Sequence, residues 1–195
     1  MASVSEKITD STFVYSQPWF YNNELALRCE LGVGDGEEYM NNAIERVVRI
    51  ASILFENRKI DAVFYNEYFD ADGNACECGH LGLDISEVIA LDIDLLHSLG
   101  QIDEDISAVK RYISYNVSFM KVMEIIKKQV HCQYDPLVSV VSFENQCIFS
   151  VYDDRGCDIV FFSEEKFKEF YLKLYPYLLD YDRKAMKNRY DSLCI

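Results

Sequence analysis

The chain has 195 residues, half of them hydrophobic and 14% aromatic, with only three prolines and eight glycines. That composition supplies one sizeable core and excludes a disordered chain or a long flexible linker. Thirty-three acidic residues against 19 basic ones give a formal net charge of −14, a field that repels nucleic acid and anionic lipid and attracts basic partners or cations.

The first stretch, residues 1–23, reads as an irregular aromatic arm around "FVYSQPWFYNN". It has neither the basic nor the apolar region of a secretory leader. "LALRCEL" then alternates Leu25, Leu27, Cys29 and Leu31 against Ala26, Arg28 and Glu30, the pattern of a half-buried strand with its polar phase turned outward. After the turn "GVGDGE", the run "YMNNAIERVVRIASILFEN" places Tyr39, Met40, Ile44, Val47, Val48, Ala51, Leu54 and Phe55 at helical spacing. "KIDAVFYNEYF" reads as a second strand, closed by the turn "DADGNA".

"DISEVIALDIDLLHSLG" predicts a helix with Ile85, Val88, Ile89, Leu95, Leu96 and Leu99 as its buried stripe and Gly100 at its C-terminus. "KRYISYNV" predicts a strand. "SFMKVMEIIKKQV" predicts a helix with Phe119, Val122, Met123, Ile126 and Val130 inward. "LVSVVSF", "QCIFSVY" and "CDIVFF" follow as three close strands in an antiparallel meander. A closing helix starts at Ser163 and is interrupted by Pro176. The expected architecture is a single α+β domain, a mostly antiparallel sheet of five to six strands with helices packed against it.

Charge is unevenly spread. Residues 1–59 hold six Lys/Arg and nine Asp/Glu, and residues 110–195 hold thirteen and twelve. Residues 60–109 hold no Lys or Arg and twelve Asp/Glu. An acidic surface also serves solubility, but a block of one sign points to a basic partner, with Asp84, Glu87, Asp92, Asp94, Asp103, Glu104 and Asp105 as the candidate contacts.

Motifs with chemistry are few. "CECGH" brings Cys76, Cys78 and His80 together, yet C-x-C is not the spacing of a structural zinc site. "FDADGNACE" puts Asp70, Asp72 and Asn74 around Gly73, without the glycine and glutamate positions of a calcium loop. His80, His97 and His131 are dispersed, and His97 falls near a helix end, where a dipole or capping role is expected. No metal or cofactor is expected. Seven cysteines, with Cys29, Cys147 and Cys157 inside apolar runs, fit small core residues in a reducing compartment, and a cytoplasmic location is expected. In "VYDDRGCDIV", Asp153, Asp154, Arg155 and Gly156 read as a hairpin turn, with Gly156 supplying a left-handed φ.

"LALRCELG", "YMNNAIERVVRIASILFE", "IFSVYDDRGCDIV" and "LYPYLLDYDR" resemble a bacterial domain-of-unknown-function family, number 3885 of that series. The resemblance covers Leu27 to Phe55 and Ile148 to about Arg183. It implies a fold and no activity. The function expected from charge is an acidic cytoplasmic binding protein, an immunity protein or antitoxin that covers the basic active site of a nuclease-type toxin. Such clefts must be basic to hold phosphates, and clustered carboxylates can mimic those phosphates. The alternatives are an enzyme using Asp153, Asp154 and Asp158, and a structural domain without a dedicated ligand.

Overall fold

A computed structural model describes residues 3–13, 19–75, 81–132 and 137–194, with only the backbone of Glu37. "CECGH" therefore lies outside the described residues. Among these residues seven strands form one antiparallel sheet: β1 (Ala26–Glu30), β2 (Ala62–Asp70), β3 (Glu87–Ala90), β4 (Ile106–Tyr115), β5 (Ser139–Ser142), β6 (Cys147–Asp153) and β7 (Gly156–Phe161). Their order across the sheet is β1-β7-β6-β5-β2-β4-β3, and every neighbouring pair is antiparallel. The α+β expectation holds, and the meander β5-β6-β7 lies where the sequence placed it.

Among the described residues seven helices accompany the sheet: α1 (Val4–Thr9), α2 (Trp19–Asn22), α3 (Glu37–Leu54), α4 (Ile93–Ser98), α5 (Phe119–Val130), α6 (Glu164–Leu174) and α7 (Arg183–Ser192). The apolar stripe of α5 buries Val122, Met123, Ile126 and Val130 as its spacing predicts. Ser163 caps α6, its hydroxyl accepting from the Lys166 amide. Pro176 sits in a 3-10 turn, Tyr175–Tyr177, that separates α6 from α7. Phe55 packs edge-on against Phe149, and Phe161 stacks on Phe170. These contacts place α3 and α6 on the face of the sheet that carries the odd-numbered residues of β6 and β7.

Two expectations fail. The described parts of the arm are not irregular: Ser3 and Glu6 form a capping box that starts α1, a second short helix is α2, and Val4, Ile8, Trp19 and Phe20 are buried. The helix predicted over 84–100 is instead β3 followed by the short α4. "EVIA" pairs with β4 through Glu87↔Ile113 to Ala90↔Lys110, and the Asp92 carboxylate accepts from the Leu95 amide to start α4 afresh. An open strand edge on β4 outcompetes a helix whose apolar spacing was real but short. Of the predicted stripe only Leu96 is buried, while Ile85, Val88 and Leu99 are exposed. Gly100 does follow the helix, with φ +63°. β3 is the strand beyond the six that the sequence suggested.

Candidate functional site

Cross-strand partners share a face of a sheet. The pairs Arg28↔Asp158, Asp158↔Ser150 and Ser150↔Ser139 therefore form one polar row across β1, β7, β6 and β5. It lies opposite the apolar row that packs on α3 and α6. The sequence read Arg28 as facing water. The structure buries it, because β1 is covered on both faces. Its Nε and Nη2 donate to the two Asp158 oxygens at 2.7 and 2.8 Å. Asp158 also accepts from the Phe20 amide at 3.2 Å.

The Arg28 guanidinium lies 4.8 Å from the ring centre of Tyr21 and 5.3 Å from those of Phe20 and Tyr152. A second carboxylate, Asp182, stands 3.9 Å from its Nη1. Burial works against the Arg28 charge, and the hydrogen bonds and charge of Asp158 more than offset it, so the group stays a cation.

A cavity of about 630 Å³ opens over this row, lined among others by Trp19, Arg28, Tyr39, Tyr152, Arg155 and Asp158. Tyr152 is the unpaired residue of a bulge between Val151 and Asp153, and the bulge re-aims its ring. Burial, then the Asp158 charge, pushes the Tyr152 phenol up; burial, then Asp154 and Asp153, does the same for Tyr39. Both remain protonated at neutral pH. The sequence reading missed Trp19, Tyr39 and Tyr152 as neighbours. The available signal was an Asp interrupting the apolar run "CDIVFF", a residue type that needs a buried partner.

The turn itself is as expected in outline. Asp153 Oδ1 accepts from the Arg155 amide at 2.8 Å, and its Oδ2 accepts from Arg155 Nε at 2.7 Å. Gly156, however, does not take a positive φ; it is the first residue of β7. Glycine is required for space: a Cβ there would overlap the Tyr152 ring and lie 2.7 Å from the Cys29 carbonyl oxygen. Asp153 and Asp158 each have a guanidinium of their own, from Arg155 and Arg28. Cys29, Cys147 and Cys157 are free and buried, in keeping with the core role read from sequence.

At the far end of the sheet, Asp84, Glu87, Asp92, Asp94, Asp103, Glu104 and Asp105 are all exposed. None makes an ion pair among the described residues. Asp92 caps α4, and Glu87 accepts from the Tyr115 hydroxyl at 3.0 Å. Asp94, Glu104 and Asp105 join Asp70 and Asp72 around a groove of about 500 Å³. A small apolar cluster, Leu91, Leu96 and Val109, supports this end from below. Asp70 is spent on its turn, where its Oδ1 accepts from the amides of Asp72 and Asn74. His97 shares a hydrogen bond of 3.1 Å with the Ile106 carbonyl. Among the described residues no three His, Cys, Asp or Glu side chains group to hold a metal ion, and no helix is long and apolar enough to cross a membrane.

The model of a family described as a domain of unknown function, DUF3885, matches residues 6–182. The chain belongs to DUF3885. Membership spans the arm, the whole sheet and the turn that leads into α7, so the Arg28–Asp158 row lies inside the family's domain. No curated protein and no solved structure matches the chain. The DUF3885 domain thus carries two distinct regions here, an aromatic cavity over a buried ion pair and an exposed acidic end.

Proposed function

We propose that this DUF3885 chain is a protein-binding module whose acidic end receives a basic protein. In its most specific form it acts as a cytoplasmic immunity protein or antitoxin, covering the phosphate-binding cleft of a nuclease-type toxin. One observation carries the reading: seven exposed carboxylates on or beside β3, α4 and the approach to β4 have no ion-pair partner among the described residues, and three of them, Asp94, Glu104 and Asp105, share a groove. Elsewhere a number of carboxylates are paired, as at Glu45–Arg49, Glu169–Lys173, Asp191–Lys187 and Asp158–Arg28, while others such as Asp35, Glu38 and Asp154 form no ion pair among the described residues. Unpaired charge of one sign is costly to concentrate and speeds encounter with the opposite sign. An enzyme built on Asp153, Asp154 and Asp158 has less support, since Arg28 and Arg155 occupy two of the three.

The test is a purified complex with the protein encoded beside this gene. A variant carrying Glu87→Lys, Asp94→Lys, Glu104→Lys and Asp105→Lys is expected to associate at least about tenfold more slowly. The wild-type rate is expected to fall steeply with added salt. Co-expression of the wild type, but not of the variant, restores growth to cells making the neighbouring protein. Equal rates and equal rescue for the two forms would remove the acidic end from the interface.

A further inference from the structure

The two edges of the sheet are treated differently. The β1 edge is closed by the chain's own C-terminal segment: the Leu179 amide donates to the Arg28 carbonyl at 3.0 Å, Leu178 bridges to Cys29, and Met186 Sδ receives the Arg28 amide. The β3 edge pairs only with β4, and no described strand lies beyond it; just past its end the Asp92 amide donates to the Ser11 carbonyl of the N-terminal arm at 3.1 Å, so the open stretch is β3 itself. The Leu91 amide donates inward to the Val109 carbonyl at 3.0 Å. Antiparallel alternation therefore turns the amide and carbonyl groups of Ala90 and Val88 outward. Val88 is 51% exposed and Ile85 39%. An open edge with apolar side chains is a template for another strand, and proteins commonly block such edges with lysine, proline or a bulge. The stretch "DISEVIALD" contains neither lysine nor proline, its charges are Asp84, Glu87 and Asp92, and its irregular point is at the strand's start, where the Ser86 amide donates to the carbonyl of Ile113, the partner of Glu87.

We propose that β3 is a docking strand, to which the basic partner adds an extended segment with Lys or Arg on alternate positions. The inference rests on the binding reading above and specifies its mode. Outward backbone groups of Val88 and Ala90 supply the ladder. Glu87 meets a cation on one face of the ladder and Val88 meets the apolar phase on the other. Asp84 and Asp92 flank the strand on either side. A second copy of this chain is the wrong occupant, because it brings its own acids to the same edge and like charges across a ladder repel.

The probes are two capped peptides of about ten residues, one alternating lysine and valine, the other the same sequence N-methylated at every backbone amide. They carry equal charge, but the second cannot donate ladder bonds. Binding is followed at low salt by calorimetry and by amide exchange at Val88 and Ala90. The lysine–valine peptide is expected to bind at least about tenfold more tightly and to slow exchange at both amides. Val88→Pro, which removes an outward amide and leaves β4 pairing intact, is expected to abolish that preference. Equal affinity of the two peptides for the wild type would refute strand addition while leaving the acidic end as a binding face. Failure of both to bind would remove both readings. The peptide comparison stands even if the proline variant folds poorly.

Discussion

Arg28 and Asp158 share a buried, two-point ion pair, and removal of either partner leaves an uncompensated buried charge between β1 and β7. Around them two glycines are kept for space. The three atoms nearest a Cβ on Gly32 all belong to the Tyr39 side chain, which borders the cavity and has room to swing aside, whereas a Cβ on Gly156 would also meet the fixed Cys29 carbonyl. Gly156→Ala is therefore expected to cost about 2 kcal/mol through overpacking, and Gly32→Ala less than about 1 kcal/mol. Urea unfolding of both variants measures the difference. Equal costs would mean that the β1–β7 backbone shifts freely at this point. The turn at Asp153 to Gly156 was legible from residue types alone. The reason for its glycine was not, since it depends on Cys29, far away in sequence.

Among the elements, those with a single dominant period were readable: α5, α6 and the β5–β6–β7 meander follow directly from their apolar spacing. β3 was not, because "EVIALDIDLL" satisfies a helical stripe and its strand state depends on β4 offering an edge. The arm was misread for a related reason. Its anchor is Arg111 on β4, wholly buried, whose Nη1 and Nη2 donate to the carbonyls of Ile8 at 3.2 Å and Phe13 at 2.7 Å. No local pattern announces that an arginine in a distant strand holds an N-terminal helix, although the Ser3–Glu6 capping box was visible. Arg111→Met keeps the stem and loses those donors. It is expected to cost about 3 kcal/mol and to loosen α1. Trypsin should then cut after Lys7 at least about tenfold faster, as followed by mass spectrometry of limited digests. Unchanged cleavage at that bond would show that apolar packing of Val4 and Ile8 alone secures the arm.

For the molecule as a whole, the charge asymmetry was the most legible property, and the structure gives it a location. Residues 60–109 span β2, β3 and α4 and reach into β4, but the seven exposed acids lie on the β4–β3 side of the sheet, separated from the Arg28–Asp158 pair on β1 and β7 by β6, β5 and β2. Carboxylates crowded without counter-charges repel one another, and the repulsion is strongest where salt is lowest, since screening acts over about 10 Å at 0.1 M ionic strength. A surface shaped only for solubility would gain nothing from such crowding, whereas an interface gives up stability for encounter and recognition. Asp94→Asn, Glu104→Gln and Asp105→Asn together are expected to raise the melting midpoint by about 2–4 °C at low salt. The gain should vanish near 0.5 M NaCl, where the Debye length falls to roughly 4 Å. Thermal melts of both proteins across a salt series decide it. A variant no more stable than the wild type at low salt would mean that these acids stand too far apart to repel, and would remove the argument that the acidic end is held under electrostatic strain for a partner.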